Sequence, residues 1–310
     1  MKKNTKKIVT AAGIAAGTAA VASLYAYVTI KALIDTALDR EMPKVMEKAD
    51  KRISGEKSSD EFTNRMESAS ESLAVQPNET VEIIAHDGEK LVGHYFPCEK
   101  PERVIIAFHG WRSSWHRDFG MISDFWYKNN CSVLYVEQRG QNNSSGEYMG
   151  FGLTERFDCL DWLNWEIERC GSDIPVYLAG VSMGATTVLM AAGLQLPPNV
   201  HGIMADCGFT SANAIWEHIA KDNLHIRFGI RSAIADRMCR RKIQVGSKEH
   251  STVEALKHTH VPVILVHGAD DHFVPVEMTY ENYTACTAPK DLLIVPGADH
   301  GMSYFMEPEK

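Results

Sequence analysis

The stretch IPVYLAGVSMGATTVLMAA, residues 174–192, decides how the rest of the chain is interpreted. It predicts an apolar strand over Val176–Val181, then a tight turn, then a helix of small residues that begins at Met183. The turn contains Gly-x-Ser-x-Gly at residues 180–184, and in a strand-turn-helix context this is the pattern of a nucleophile elbow. Glycines without a Cβ let the strand and the helix approach closely. The helix N-terminus would direct backbone N–H groups to where negative charge develops in acyl transfer.

A five-residue pattern also occurs by chance, so the motif needs support from the rest of the chain. The strand and helix patterns on its two sides give the first support. The second depends on whether a carboxylate and a histidine follow in the right order.

The composition limits which classes of protein this chain can belong to. The 310 residues are enough for one large domain with an appendage, and an apolar content of 45% allows a sizeable core. The net charge of -8 argues against nucleic acid as a partner. The seven cysteines contain no Cys-x-x-Cys pair, which predicts free thiols and neither a disulfide framework nor a zinc site. We expect no cofactor and no metal.

The N-terminus carries an apolar run from Ile8 to Ile30 that follows four lysines. A helix of about 20 residues crosses a bilayer core, and lysines on the N-terminal side place that end in the cytoplasm. We therefore expect a signal anchor over residues 1–34, a single-pass cell-membrane protein, and a main domain outside the cytoplasm. The alternative is secretion after cleavage near Ala20-Val21-Ala22, and a buried soluble helix is the third interpretation. Unpaired cysteines fit poorly with an oxidising exterior.

Residues 35–75 are charged and helix-forming, with breaks at Pro43 and Ser54-Gly55. This composition predicts a helical stalk or linker without chemistry of its own.

From residue 76 the pattern changes to short apolar strands that alternate with helical lengths. Alternating segments on either side of His86-Asp87-Gly88 predict a β-hairpin. Uniformly apolar strands separated by helices predict a parallel sheet covered on both faces. The expected strands are Thr80–Ala85, Lys90–Phe96, Arg103–His109, Cys131–Val136, Val176–Val181, His201–Ala205, Pro262–His267 and Leu292–Val295.

Three further motifs follow strands of this sheet, where ligands bind in folds of this class. Phe108-His109-Gly110-Trp111 could supply a second backbone donor, so the expected oxyanion hole is the N–H groups of Trp111 and Met183. His109 more plausibly orders this loop than acts as a base.

The expected acid is Asp271, in the pattern Gly-x-x-Asp-x-x-Val-Pro of residues 268–275. A buried carboxylate would hold an imidazole in one tautomer and stabilise its cation. Asp270 is the runner-up, with helix capping as its other role. The expected general base is His300, in Asp299-His300-Gly301 after the last strand.

The order Ser182, Asp271, His300 resembles that of the α/β-hydrolases. Over roughly residues 79–310 the chain resembles bacterial serine hydrolases of the lipase, cinnamoyl-esterase or dipeptidyl-peptidase type. The resemblance rests on His86-Asp87-Gly88, Phe108-His109-Gly110-Trp111, Gln138-Arg139-Gly140, Ser145-Gly146, Gly180–Gly184, His267–Pro275 and Asp299-His300-Gly301. It implies an α/β-hydrolase fold with an eight-stranded, mostly parallel sheet, helices on both faces and a metal-independent hydrolase. The chain departs from this pattern at Glu137, at Asn142-Asn143 and in its short tail after His300.

Residues 211–259 interrupt the alternation of strands and helices, so we expect a helical lid over Ser182 within the domain 76–310. Its arginines suggest either contact with an anionic surface or a solvated face, and the second interpretation is preferred. Asp206, at the end of the sixth strand, is expected to be structural.

The leading functional hypothesis is an esterase that forms an acyl-serine intermediate on a small-molecule ester or peptide substrate. A peptidase or amidase with the same residues is the nearest alternative, and transfer to an acceptor other than water stays open. A binding protein without catalysis is a different class. A scaffold of the cell envelope is a third, and it predicts that deleting residues 1–75 leaves hydrolysis intact.

Overall fold

Eight strands form one sheet at the centre of the molecule. A computed structural model of the chain describes Val21 and residues 23–42, 60–229 and 231–309. The strand order is β1-β2-β4-β3-β5-β6-β7-β8, and only β2 runs antiparallel to its neighbours. The strands are β1 (Glu79–Ile84), β2 (Lys90–Phe96), β3 (Arg103–Phe108), β4 (Cys131–Glu137), β5 (Val176–Val181), β6 (Val200–Asp206), β7 (Val263–Gly268) and β8 (Lys290–Val295). The predicted eight-stranded, mostly parallel sheet is confirmed, with strand bounds within two residues of those expected.

Helices cover both faces of the sheet, because successive side chains of each buried strand point in opposite directions. Val104 and Ile106 of β3 pack in one apolar cluster with Trp162, whereas Ile105 and Ala107 pack in another with Phe119. The helices are α1 (residues 23–38), α2 (Asp60–Ala74), α3 (Trp115–Lys128), α4 (Glu155–Cys170), α5 (Met183–Ala191), α6 (Ala212–His218), α7 (Arg231–Ile243), α8 (Thr252–Leu256), α9 (Val276–Ala285) and α10 (Ser303–Met306).

Helix α1 begins within the expected membrane anchor. Within the described ranges, no helix combines the length and the apolar character that a membrane crossing requires. Most of the anchor expected over residues 1–34 lies outside the described residues. Its last part differs from the expectation, since Ile30, Leu33 and Ile34 are buried against the domain.

The segment expected to be a solvated stalk also packs on the domain where it is described. Leu38 is fully buried, and α2 lies along α3 with Phe62, Met66 and Leu73 buried. The apolar positions of α2 recur at helical spacing, which places them on one face. Helix α2 is therefore part of the domain.

The lid expected over residues 211–259 is smaller than predicted. Helices α6 and α7, joined by a π-helical turn over Ile219–Asn223, stand over the carboxyl ends of the strands and share a core with α1. Helix α8 belongs to the body of the domain, because the Thr252 N–H donates to the Thr210 carbonyl and the Thr252 hydroxyl to Asn282 Oδ1. The lid helices are therefore α6 and α7.

All seven cysteines are free thiols, and five of them are buried. They behave as small apolar side chains within the core.

Candidate active site

Ser182 lies in a strained turn between β5 and α5. Its backbone has φ 54 and ψ -115, a left-handed conformation that is unusual for a residue with a side chain. A Cβ on Gly184 would lie 1.8 Å from the carbonyl oxygen of Phe108, and one on Gly180 would lie 2.3 Å from that of Gly184. The glycines of the motif are therefore required by the close approach of α5 to the sheet.

The structure brings Ser182, Asp271 and His300 together at the carboxyl edge of the sheet. The Ser182 hydroxyl lies 2.9 Å from His300 Nε2, and His300 Nδ1 lies 2.7 Å from Asp271 Oδ2. With a proton on Nδ1, the ring donates to the carboxylate and accepts from the hydroxyl. This is the arrangement in which an imidazole can take a proton from a serine as it attacks.

The carboxylate of Asp271 is fully buried and every one of its contacts is a donor. Oδ1 accepts from the backbone N–H groups of Phe273 at 2.9 Å and Val274 at 2.8 Å. Oδ2 faces His300 and also His267 Nε2 at 3.1 Å. Burial acts to raise the pKa of Asp271, but the charge of His300 and the hydrogen bonds from both histidines lower it below its ordinary value. Asp271 therefore stays ionised, whereas the runner-up Asp270 is exposed.

The same interaction acts on His300 in the opposite direction. Burial of the imidazole acts to lower the pKa of His300, but the Asp271 charge, with a contribution from Cys207, raises it well above 6.5. The pair thus favours an imidazolium, the species formed when serine loses its proton.

The loop after β3 is held against Ser182 by a network of hydrogen bonds. Asp118 of α3 accepts from the Gly110 N–H at 2.6 Å and from the Ser113 hydroxyl at 2.5 Å. A Cβ on Gly110 would lie 3.4 Å from Ser182 Cβ, which shows how closely the loop approaches the serine. Trp111 follows in this loop, and Met183 is the first residue of α5. Trp111 and Ser182 line the same cleft.

His109 is fully buried beneath this loop. Its Nδ1 donates to the Gly110 carbonyl at 2.8 Å, and its Nε2 accepts from the Gln138 N–H at 3.2 Å. Burial is the largest effect on its pKa and lowers it, so the ring is neutral at neutral pH. The expectation that His109 orders the loop fits these contacts.

Cys207 lies beside His300, and its thiol is within 4.8 Å of the donor atoms of Asp271 and His300. Burial raises the pKa of this thiol to about 11, so it stays protonated and weakly nucleophilic. Three such groups could in principle hold a metal ion, but the Asp271 oxygens already accept from four donors. Asp206 accepts from the Ser303 hydroxyl at 2.8 Å, in keeping with a structural role.

Two spaces of different character adjoin Ser182. One is an open cleft of about 500 Å³, lined by His300, Arg117 and Asp118 among others. The second is a small apolar cavity of about 20 Å³, lined by Phe151, Trp216 and residues of α1. Ser182, Trp111 and Phe273 line both spaces, but charged side chains line only the cleft.

Two of the three places where the chain departs from the resemblance, Glu137 and Asn142-Asn143, contact each other through Asn143. The Glu137 carboxylate accepts from the backbone N–H of Asn143 at 2.5 Å and from its side-chain amide at 3.0 Å. Its other contact is His94 Nε2 at 2.8 Å. Burial acts to raise the pKa of Glu137, but these partners lower it, so a charged carboxylate fixes this loop from beneath.

Sequence reasoning missed three contributors to the site. His267 begins the motif of residues 267–275, and its spacing of four residues from Asp271 is the signal that could have marked it as a contact of the acid. Asp118 lay within a predicted helix without a motif. The expected anchor covers most of helix α1, and no local sequence pattern indicates that this helix packs beside the site.

No protein-family model matches the chain. It is 25% identical over 216 residues to the uncharacterized protein YqkD of Bacillus subtilis, a match that covers 68% of each protein. It is 23% identical over 231 residues to the uncharacterized protein YfhR of Escherichia coli K12, covering 72% of this chain and 73% of the other.

Solved structures give a clearer likeness. The Pyrococcus furiosus esterase Pf2001 superposes with a TM-score of 0.60 at 20% identity, over 77% of this chain and 87% of that one. Est1E of Butyrivibrio proteoclasticus, solved with ferulic acid bound, gives 0.58 at 18% identity over 74% and 94%. The Pyrococcus horikoshii acylaminoacyl peptidase gives 0.53 at 17% identity over 73% and 38%. The architecture is that of the α/β-hydrolases.

Proposed function

We propose that this protein is a serine hydrolase that cleaves carboxylic esters through an acyl-serine intermediate. The observation that carries the proposal is the continuous hydrogen-bonded path from the Ser182 hydroxyl through His300 to a buried, ionised Asp271. Ser182 has a positive φ, which is strained for a residue with a side chain, and a serine that only packed in the core would not require this strain.

In the proposed reaction Ser182 Oγ attacks the ester carbonyl carbon while His300 Nε2 takes its proton. The carbonyl oxygen becomes an oxyanion, which the backbone N–H groups of Trp111 and Met183 stabilise, at about 3 kcal/mol for each donor. The imidazolium then protonates the leaving alcohol as the carbon–oxygen bond breaks. Water activated by the same imidazole attacks the acyl-serine and releases the acid and free Ser182.

Fluorophosphonate labelling tests the proposal directly. We expect the wild-type protein to be labelled at Ser182 and to hydrolyse p-nitrophenyl acetate, and Ser182→Ala to lose both activities. Ser72→Ala is a control, because Ser72 is an exposed serine of α2 that does not line the cleft. Unlabelled wild-type protein would instead support a binding protein that keeps the fold.

Peptide or amide cleavage is the second candidate, since the same groups would act on an amide. The open cleft of about 500 Å³ on the His300 side has room for a peptide leaving group. Comparing kcat/KM for acyl esters with that for aminoacyl anilides separates the two. A higher value for the anilides would favour the peptidase.

We further propose that the part of the apolar run that precedes the buried Ile30 attaches the protein to the cell membrane, with the domain outside the cytoplasm. Apart from the sequence itself, the support is a group of exposed apolar side chains near the start of α1, namely Val21, Leu24, Tyr25 and Val28. Recovery of the full chain from carbonate-washed membranes, and its cleavage by protease added to spheroplasts, would support this location. Recovery in the soluble cytoplasmic fraction would contradict it.

A further inference from the structure

Helix α1 forms one wall of the apolar cavity beside Ser182. Leu33, Thr36 and Ala37 line the cavity from this helix, opposite aromatic side chains from the loops and the lid helices. The Thr36 hydroxyl donates to the Ala32 carbonyl at 2.7 Å, so it is engaged within the helix. A segment distant in sequence from the elbow therefore contributes to the immediate surroundings of the serine.

The positions of the two spaces assign the parts of an ester to them, given the proposed function. The leaving alcohol must receive its proton from His300, and His300 lines the open cleft. The acyl group then takes the other space that Ser182 lines, the apolar cavity. The cavity is thus the acyl pocket of the proposed reaction.

The size of this pocket limits the acyl group. Its volume is about 20 Å³, and one water-sized probe needs roughly 10–15 Å³. Such a space takes the methyl of an acetyl group, and a longer chain must displace a wall residue. Trp216 and Phe209 are packed with Phe151 in the core of the lid. Leu33 is the large aliphatic wall residue that α1 contributes.

Contacts with the loop after β3 that carries Trp111 and Arg112, called the oxyanion loop below, fix α1 in this place. The Trp111 indole N–H donates to the Ala37 carbonyl at 3.0 Å. The Arg112 guanidinium donates to the carbonyls of Thr36 at 2.9 Å and Arg40 at 3.0 Å. From the lid, the Lys242 ammonium lies 3.1 Å from Asp35 and 2.5 Å from Asp39. The wall is therefore held by both the loop and the lid.

We propose that α1 closes the acyl pocket and that Leu33 is a specificity-determining residue that restricts the enzyme to esters of short acyl groups, of about acetyl size. This inference rests on the proposed ester hydrolysis.

The test is the acyl-length profile of the full chain on p-nitrophenyl acetate, butyrate and hexanoate. A hydrophobic pocket discriminates by about 10- to 200-fold for a single methylene. We expect kcat/KM of the wild type to fall by at least about 10-fold between acetate and butyrate. Leu33→Ala should raise the hexanoate-to-acetate ratio by at least about 10-fold.

Ile34→Ala is the matched control. Ile34 is fully buried on the same helix and in the same core cluster, but it does not line the cavity. Ile34→Ala should lower the melting temperature as Leu33→Ala does and leave the acyl-length profile unchanged.

Ala37→Val narrows the pocket, so it should lower butyrate turnover further. It provides a second test of the pocket if Leu33→Ala does not fold.

The outcomes separate the two proposals. Equal shifts of the profile in Leu33→Ala and Ile34→Ala, or equal turnover of acetate and hexanoate by the wild type, would overturn the role of α1 while leaving the hydrolase intact. Absence of labelling at Ser182 and of turnover on every ester would overturn both.

Discussion

Asp271 is the residue whose surroundings most clearly distinguish a functional role from a structural one. Replacing it with asparagine keeps the shape but removes the charge, so the side chain no longer favours the Nδ1–H tautomer of His300. We expect Asp271→Asn to lower kcat by about 10⁴-fold with little change in KM. Steady-state kinetics on p-nitrophenyl acetate measure this.

The neighbouring Asp270 supplies the control for this substitution. Its side chain is exposed, and Asp270→Asn should leave kcat within about twofold of the wild type, as surface substitutions usually do. Comparable losses in the two variants would contradict the assignment of Asp271.

The pH dependence of the reaction follows from the His300–Asp271 pair. The general base must be neutral in the free enzyme, and the Asp271 charge raises the pKa of His300 well above 6.5. Because the protonated form predominates below that raised pKa, kcat/KM should increase with pH, with a midpoint on the alkaline side of 6.5. A pH profile of kcat/KM measures this midpoint, and in Asp271→Asn it should move to lower pH.

A profile that is flat from about pH 5 to about pH 8, the range in which an unperturbed histidine titrates, would contradict this prediction. A midpoint that stays in place in Asp271→Asn would show that another group controls the acid limb.

Among the individual site residues, the sequence predicts those that belong to motifs and does not predict those that reach the site only through tertiary packing. Ser182 and His300 follow strands at positions that the chain order defines, so their convergence could be expected. His267 and Asp118 act through contacts with Asp271 and Gly110. Such contacts depend on how β7 and α3 are placed relative to the loops, which no local pattern encodes.

Among the elements, the elbow depends on the distance between β3 and α5. Because a Cβ on Gly184 would lie 1.8 Å from a backbone oxygen of Phe108, Gly184→Ala must push the helix away from the strand. We expect it to destabilise the protein by about 3 kcal/mol or more and to abolish Ser182 labelling. Denaturant unfolding and fluorophosphonate labelling measure the two effects.

Gly171 separates this steric effect from the conformational cost of removing a glycine. It has φ 83, but a Cβ placed there would meet nothing within 4 Å. Gly171→Ala should therefore cost about 1–3 kcal/mol, from its glycine-only backbone conformation alone, and leave labelling unchanged. If both variants lost labelling, the close approach at the elbow would not be the reason.

The elements differ in how well their sequences reveal them. The buried strands are uniformly apolar, and this leaves little ambiguity once helical lengths separate them. Helix α1 is ambiguous, because an apolar surface can face either lipid or a protein core. Its first turns expose Leu24 and Val28, whereas Ile30 and Leu33 are buried on the domain. Only the tertiary structure distinguishes the two halves.

For the molecule as a whole, α1 connects the N-terminus to both the lid and the oxyanion loop. Arg40, just after the helix, donates to the Ser144 carbonyl at 2.6 Å, and Lys242 of α7 pairs with Asp35 and Asp39. Removing α1 would take its buried aliphatic side chains out of the apolar cluster that also contains Phe151 and Trp216. The scaffold hypothesis predicts that deleting residues 1–75 leaves hydrolysis intact, whereas these contacts predict that the deletion abolishes it.

Two truncations of the chain test this dependence. Loss of residues 1–20 removes none of the contacts described for α1, so melting temperature and p-nitrophenyl acetate turnover should stay close to those of the full chain. Loss of residues 1–40 removes four buried aliphatic side chains, Ile30, Leu33, Ile34 and Leu38, each contributing about 1.5–3 kcal/mol of burial. Because the total stability of a domain is only about 5–15 kcal/mol, this variant should melt at a much lower temperature, bind a dye for apolar surfaces and lose turnover. Calorimetry, dye fluorescence and ester kinetics on the two proteins decide the matter, and a shorter variant as stable and active as the longer one would show that α1 is not part of the working domain.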